Sequence, residues 1–345
     1  MNTQDTNQFC SQFENRKDEH ISLALKPENE AIEKNYFDSI TLLHEALPEI
    51  DFNEIDTTVN IFDNKIKTPF IVSSITAGSK KSEKINLNIA KACQNTGWMM
   101  GIGSQRIQLV DNLAKKECLK LRKEAPNIKL FGNIGLSQLI NTSISDIEHL
   151  LDPLEANGIF IHTNPLQECI QHEGTPQFKG GIKALEKLCS AIKLPVILKE
   201  TGCGFSINTL KKLKNIGLYA IDVSGFGGTH FGRIEQARNK NRTNTFNNWG
   251  INTVQSVLNA IQLKPDYKVW ASGGVRSGLD AAKLIAMGVQ TVGFAKPILE
   301  ASILGYKEII SIMKKIKHEF KVSMFCTGSK NIKTLQINKV WTKTK

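Results

Sequence analysis

From Pro69 onward the chain alternates brief, almost uninterrupted apolar runs with amphipathic stretches, and that rhythm restricts the fold more than any other feature. The runs are FIVSSITAG (70–78), WMMGIGS (98–104), KLFGNIG (129–135), GIFIHTN (158–164), PVILKE (195–200), YAIDVSG (219–225), KVWASGG (268–274) and TVGFAKP (291–297). They lack the in–out alternation of a strand with one wet face, so both faces must be covered, as in a parallel sheet. Between them, stretches such as EKINLNIAKACQ and GLDAAKLIAM repeat apolar residues at three- and four-residue steps, the period of a helix. Alternating strands and helices predict an α/β fold, and eight such units predict a (β/α)8 TIM barrel. An open doubly wound sheet is the competing arrangement; regular units with no reversal point favour closure. A length of 345 residues suits one such unit.

Upstream, the sequence predicts a helix over 32–46 and then a hairpin, TTVNIF-DN-KIKTPF, plugging the bottom of the barrel. The first fifteen residues read as disordered. The expected organisation is a disordered tail (1–15), an arm with helix and hairpin (16–68), the barrel (69–320) and a C-terminal extension (321–345). RIEQARNKNRTNTFNNWG (233–250) is polar and too long for an ordinary connection, which makes it a candidate lid.

Seven scattered cysteines, odd in number and without a C-x-x-C pair, argue for a reducing compartment and against zinc. No apolar run approaches the roughly 20 residues of a membrane span, and the polar start MNTQDTNQFC is unlike a signal peptide. A cytoplasmic protein with no membrane partner is expected. The formal charge of +11 allows nucleic acid or an anionic ligand. Its positive residues are dispersed among acids, however, as in KKSEK and LRKEAP. The one dense basic stretch, ARNKNR (237–242), lacks the interleaved aromatics of single-strand binders. No nucleic-acid partner is expected.

In such a barrel, functional groups sit at the C-terminal ends of the strands. Those ends carry Ser74 and Thr76, Ser104 and Gln105, Asn133, the HTNPLQE stretch, Lys199 and Glu200, Ser224 to Thr229, Ser272 to Arg276, and Ala295 with Lys296. Two glycine-rich turns, SGFGGT and ASGGVRSG, follow the sixth and seventh strands, where this fold cradles phosphate. With a lysine at the end of strand 5 they suggest flavin mononucleotide, the lysine near the electron-rich N1–C2 oxygen edge and Ser, Thr and Asn bonding the ring. The alternative for Lys199 is an ordinary lysine paired with Glu200.

The sequence resembles type 2 isopentenyl diphosphate isomerases, the FMN-dependent family of isoprenoid biosynthesis. The likeness lies in RKDEHI (16–21), the SSITAGS turn, MGIGSQR (100–106), GNIG (132–135), HTNPLQE (162–168), PVILKE-x-G, DVSGFGGT (222–229), NWGI-x-T and ASGGVRSG. HTNPLQE with RKDEH is specific to that family; the glycine turns are shared with many FMN barrels. The resemblance implies an isomerase that shifts the double bond of isopentenyl diphosphate to give dimethylallyl diphosphate, with reduced FMN as acid and base and NADPH as reductant. It implies that FMN is held by Ser74, Ile75, Thr76, Ser104, Asn133, Lys199, Ser224, Thr229, Gly273, Gly274, Val275, Arg276, Ala295 and Lys296. Gln167 and His162 would be catalytic, with Gln167 facing the reacting carbons. Arg16, Lys17, Asn164 and Gln167 would bind substrate, and Glu168 would help hold Mg2+, a hard cation suited to carboxylate and phosphate oxygens. A five-carbon tail supplies about 4 kcal/mol where micromolar binding needs about 8, so the diphosphate must be gripped. The resemblance also implies a homo-oligomer, tetramer or octamer, with the Arg16–Lys17 arm supplied or steadied by a neighbouring subunit. His230 and Phe231 depart from it, standing where the family has a small residue and then Trp.

Two other readings start from the same residues. A 2-hydroxy-acid oxidase-like FMN oxidoreductase shares the barrel and the lysine but needs a His and Arg after strand 6, of which THFGR (229–233) is a faint echo. A basic nucleic-acid-binding protein would be colourless and salt-sensitive in its binding.

Overall fold

The computed structural model describes residues 3–31, 35–110, 115–239 and 244–344. Eight parallel strands close into a barrel: Phe70–Val72, Met99–Gly101, Leu130–Gly135, Gly158–Thr163, Val196–Glu200, Ala220–Asp222, Lys268–Ala271 and Thr291–Phe294. Each pairs with its neighbour in sequence, and the eighth returns to the first through Gly293↔Ile71. The expected (β/α)8 architecture is therefore the observed one. Alternate residues point inward, so Ile71, Met99, Phe131, Phe160, Ile197, Ala220 and Trp270 form one apolar plug inside the barrel.

The hairpin Val59–Ile61/Asn64–Ile66 closes the bottom, as the sequence suggested. Its two turn residues, Phe62 and Asp63, both take positive φ (51° and 58°), as a two-residue turn matched to strand twist requires. An aromatic residue is poorly suited to that conformation. Its ring offsets the cost by stacking 4.4 Å from Tyr219 and 5.7 Å from Phe131 (centroid distances).

The flanking segments depart from the expectation. Thr3–Ala24 is one helix, so no disordered tail ends at residue 15. Phe13, His20, Ile21 and Ala24 recur at helical spacing and bury one face against the barrel mouth. No helix spans 32–46: residues 32–34 lie outside the described set, Tyr36–Ser39 is a 3-10 turn, and Ile40–Leu42 is a strand paired with Trp341–Lys343. The distant partner strand decides this, because an apolar run this short is compatible with either state. The 320/321 boundary cuts the helix Tyr306–Phe325, whose Phe320 packs 5.1 Å from Phe70, so the C-terminal segment is part of the barrel's outer layer. Of the candidate lid, Phe231–Arg238 is helical and 240–243 lies outside the described residues. The following loop folds back on that helix, with Arg233 Nε donating to Asn247 O (2.8 Å). No described helix is long and apolar enough to cross a membrane.

Candidate active site

The C-terminal ends of all eight strands open on one cleft, lined by every residue that the resemblance assigns to FMN, substrate, catalysis or metal, whereas Gln105 and Glu200 at the same strand ends do not line it. Its empty space is about 1590 Å³ when the solvent at the open mouth is counted with it.

One end is built by the barrel itself. The hydroxyls of Ser73, Ser74 and Thr76 are buried there without a hydrogen-bond partner. An unsatisfied buried hydroxyl costs about 1–3 kcal/mol, so three in succession mark a place where a polar ligand completes the structure. The two glycine turns pack backbone on backbone: a Cβ on Gly274 would lie 2.4 Å from Gly227 O, and one on Gly228 would lie 2.6 Å from Gly274 N. Lys199 donates to Ser224 Oγ (3.0 Å) and Glu200 O (2.6 Å). It is not ion-paired with Glu200, whose carboxylate turns away to accept from the N–H groups of Thr201 (2.6 Å) and Gly202 (2.7 Å). Burial still pushes the Glu200 carboxyl up to about 7. Ser224 sits at φ +33°, held there by its N–H on Asp222 Oδ1 (3.2 Å).

Asn133 Nδ2 donates to Ile102 O (3.1 Å), which fixes the amide with its oxygen toward His162 Nδ1, 2.8 Å away. Nδ1 therefore carries the proton and Nε2 keeps a free lone pair. Burial, then the charges of Lys17 and Lys199, hold His162 down to about 3, so the ring is neutral at ordinary pH.

The other end is built by the N-terminal helix and the strand 4 motif. Arg16, Lys17 and His20 share a helix face, and the guanidinium and ammonium lie 4.8 and 5.1 Å from the Phe13 ring centre. The helix that supplies Arg16 and Lys17 packs over the mouth of its own barrel. Burial, then the charges of Arg16 and Arg106, bring the Lys17 ammonium down to about 7. Helix Pro165–Ile170 projects the motif's polar groups. Asn164 Nδ2 donates to Gln167 Oε1 and Glu168 Oε1 (both 3.0 Å), and Gln167 Nε2 donates to Glu235 Oε1 (3.0 Å). Glu168 Oε2 accepts from Thr175 N (2.6 Å) and Oγ1 (3.1 Å). Among the described residues no three His, Cys, Asp or Glu side chains gather to hold a metal. A lone carboxylate suits Mg2+ only where phosphate and water complete its shell.

Several residues here were not singled out from the sequence. Arg106, in MGIGSQR, lines the cleft as a third cation. His20 lies 2.8 Å from Glu235 Oε1, and Arg238 bridges Glu235 (2.7 Å), Glu173 (2.8 Å) and Glu19 (2.9 Å), pinning the N-terminal helix over the mouth. Burial pushes Glu235 up, but the bonds from His20, Arg238 and Gln167 outweigh it and hold it below the usual carboxylate range. Glu30 joins Arg276 and Lys296. The helical spacing of RKDEH signals His20 once that segment is read as a helix; Glu30 and Glu235 carry no local signal. His230 proves to be structural. It is fully buried, accepts Arg233 N at Nδ1 (3.2 Å) and donates from Nε2 to Trp249 O (2.9 Å). Phe231 does line the cleft, edge-on to His20 at 5.8 Å.

The FMN-dependent dehydrogenase family model matches residues 24–128 and 147–342. The chain is 52% identical over 332 residues to an isopentenyl-diphosphate delta-isomerase of Legionella pneumophila (strain Corby), covering 94% of this chain and 97% of the relative. It is 47% identical over 340 residues to that of Bdellovibrio bacteriovorus (96% and 98% covered) and 35% identical over 333 residues to that of Archaeoglobus fulgidus (94% and 95%). Among solved structures it resembles a flavocytochrome b2 variant with sulfite bound (TM-score 0.68, 18% identity, 99% of this chain and 85% of that one). It also resembles mandelate oxidase with 3,3-difluoro-2-hydroxy-3-phenylpropionic acid (TM-score 0.64, 15% identity, 95% and 97%). At such identities these two speak for the fold alone.

Proposed function

The chain belongs to the FMN-dependent, type 2 isopentenyl-diphosphate delta-isomerase family, and from that membership we propose how its cleft divides the work. The reaction is a 1,3-allylic shift: isopentenyl diphosphate gains a proton at its terminal alkene carbon, loses one from C2 and becomes dimethylallyl diphosphate, with no net oxidation. FMN is the cofactor; when bound and reduced it supplies the acid and base for those two proton movements.

The partition of the cleft carries the reading: unpaired neutral hydroxyls with Lys199, Arg276 and Lys296 on the barrel side, and Arg16, Lys17 and Arg106 on the arm side. The unpaired hydroxyls and tight glycine turns fit FMN, with Ser74, Ile75, Thr76, Ser104, Asn133, Lys199, Ser224 and Thr229 toward the ring. Gly273, Gly274, Val275, Arg276, Ala295 and Lys296 would take its phosphate. Arg16, Lys17 and Arg106 grip the diphosphate. Asn164 holds Gln167, which Glu235 anchors from the other side, so a neutral carboxamide is aimed at the reacting carbons without ionising there. His162 presents an unprotonated Nε2, able to accept but not donate. Glu168 would contribute a carboxylate oxygen to Mg2+, which would neutralise charge on the diphosphate. NADPH as reductant, an oligomeric assembly and a cytoplasmic location complete the proposal.

The oxidase alternative lacks its base, because both nitrogens of His230 are engaged in the backbone and Arg233 is bonded to Asn247 O and Glu30 O. The deciding experiment is anaerobic assay of the purified protein with dithionite-reduced FMN. Dimethylallyl diphosphate should form from isopentenyl diphosphate, and 2-hydroxy acids should leave oxidised flavin unbleached. Bleaching by a hydroxy acid without isomerisation would overturn the reading.

A further inference from the structure

We propose that Glu30 is an internal competitor for the flavin phosphate, a resident anion that lowers the affinity of the cradle for FMN and holds its two cations in place. The inference rests on the assignment of Arg276 and Lys296 to the phosphate end of the flavin site.

Glu30 is almost wholly buried and lines the same cleft. Its Oε2 lies 3.0 Å from Arg276 Nη2, and its Oε1 contacts Lys296 Nζ. The other acids nearby do not take this role. Asp280 spends its carboxylate on the N–H groups of Arg276 and Ser277 (both 3.1 Å), and Glu300, half exposed, stands 3.9 Å from Lys296.

Glu30 cannot drift away from the cradle, because its backbone is laid along the glycine turn after strand 6. Ala31 N donates to Gly228 O (2.9 Å), His230 N donates to Asn29 O (3.0 Å), and Arg233 donates to Glu30 O (2.6 Å). The carboxylate is thus delivered to the turn by main-chain pairing.

The charge balance follows. Glu30 cancels one of the two positive charges that Arg276 and Lys296 bring, and the charges of Asp280 and Glu300 also act on that pair. A phosphate monoester brings a charge of about −1.5 to −2. Whether Glu30 rotates out or stays beside the incoming phosphate, binding carries a cost that riboflavin, having no phosphate, does not meet.

The test is titration of flavin-free protein with FMN and with riboflavin, followed by quenching of flavin fluorescence, for the parent, Glu30→Gln and Arg276→Ala. Glutamine keeps the size and the backbone pairing, and Glu30→Ser serves as a second variant should the amide find a new partner. Glu30→Gln should bind FMN about tenfold or more tightly and riboflavin as before, widening the FMN-to-riboflavin ratio. An unchanged or narrowed ratio in both Glu30 variants, while Arg276→Ala collapses the ratio of the parent, overturns the competitor role and leaves the cradle standing. If Arg276→Ala leaves the ratio of the parent intact, the cradle itself is misassigned and the proposal falls with it.

Discussion

The two ends of the cleft are built by different means. At the end proposed for the flavin every group except Glu30 comes from a barrel strand or the turn directly after it, so its position is set by the sheet that also makes the core. At the diphosphate end the decisive cations ride on Thr3–Ala24, a helix outside the barrel held down by the ion network around Arg238. The barrel end is continuous with the core sheet, whereas the arm end is a separate piece fastened on by charge. Changes at one end should therefore leave the other intact.

The sharpest way to break that comparison is Arg16→Ala with Lys17→Ala. Two charge-assisted bonds at about 1.5–3 kcal/mol each put the fall in kcat/KM for isopentenyl diphosphate on the order of a thousandfold. FMN affinity should stay put. Parallel loss of flavin in a fluorescence titration would mean that the ends are not independent. The mirror experiment, Lys199→Ala, should weaken FMN binding on the order of a hundredfold while the protein still binds inorganic diphosphate normally, read by calorimetry.

Glu168→Gln should raise the Mg2+ concentration for half-maximal rate about tenfold, a loss near that of one charged hydrogen bond. Unchanged metal dependence would move the ion off the strand 4 motif. The smallest effect is a proton count. Lys17, brought down to about 7 in the free protein, is mostly uncharged at pH 8. A bound diphosphate favours the ammonium and raises that value, so binding at pH 8 should draw in close to one proton, falling toward none below pH 6. Calorimetry in two buffers of different ionisation enthalpy gives the number, and Lys17→Arg should abolish it. Proton release on binding would show that the sign of this coupling is misjudged.

The same division explains how far the sequence could be read. Barrel strands have a local signature, so Phe70–Val72 through Thr291–Phe294 and the polar groups at their ends were legible from apolar runs and turns. The hairpin was legible too, since its pairing is local. Ile40–Leu42 was read as helix because its partner, Trp341–Lys343, lies at the far end of the chain and no window contains both. Thr3–Ala24 was misread in part because its stabilising surface is the barrel mouth rather than its own composition. Glu30 and Glu235 matter through partners remote in sequence, Arg276 and His20, so nothing beside them announces it. The two chemical roles proposed for the HTNPLQE and RKDEH stretches came from resemblance, which carries information that spacing alone does not.

The pairing of Ile40–Leu42 with Trp341–Lys343 also sets a clock. Thr41 and Thr344, which meet across this clasp, are 303 residues apart. At ~5–20 residues per second of synthesis, the first strand waits on the order of 15–60 s before its partner exists. All eight barrel strands are made within that interval, so a ribosome stalled shortly before Trp341 carries a nearly finished barrel with one bare edge. Bare edges pair with whatever extended chain they meet. Ile40–Leu42 therefore stays uncovered until Trp341–Lys343 has been made, and that short segment is its cover.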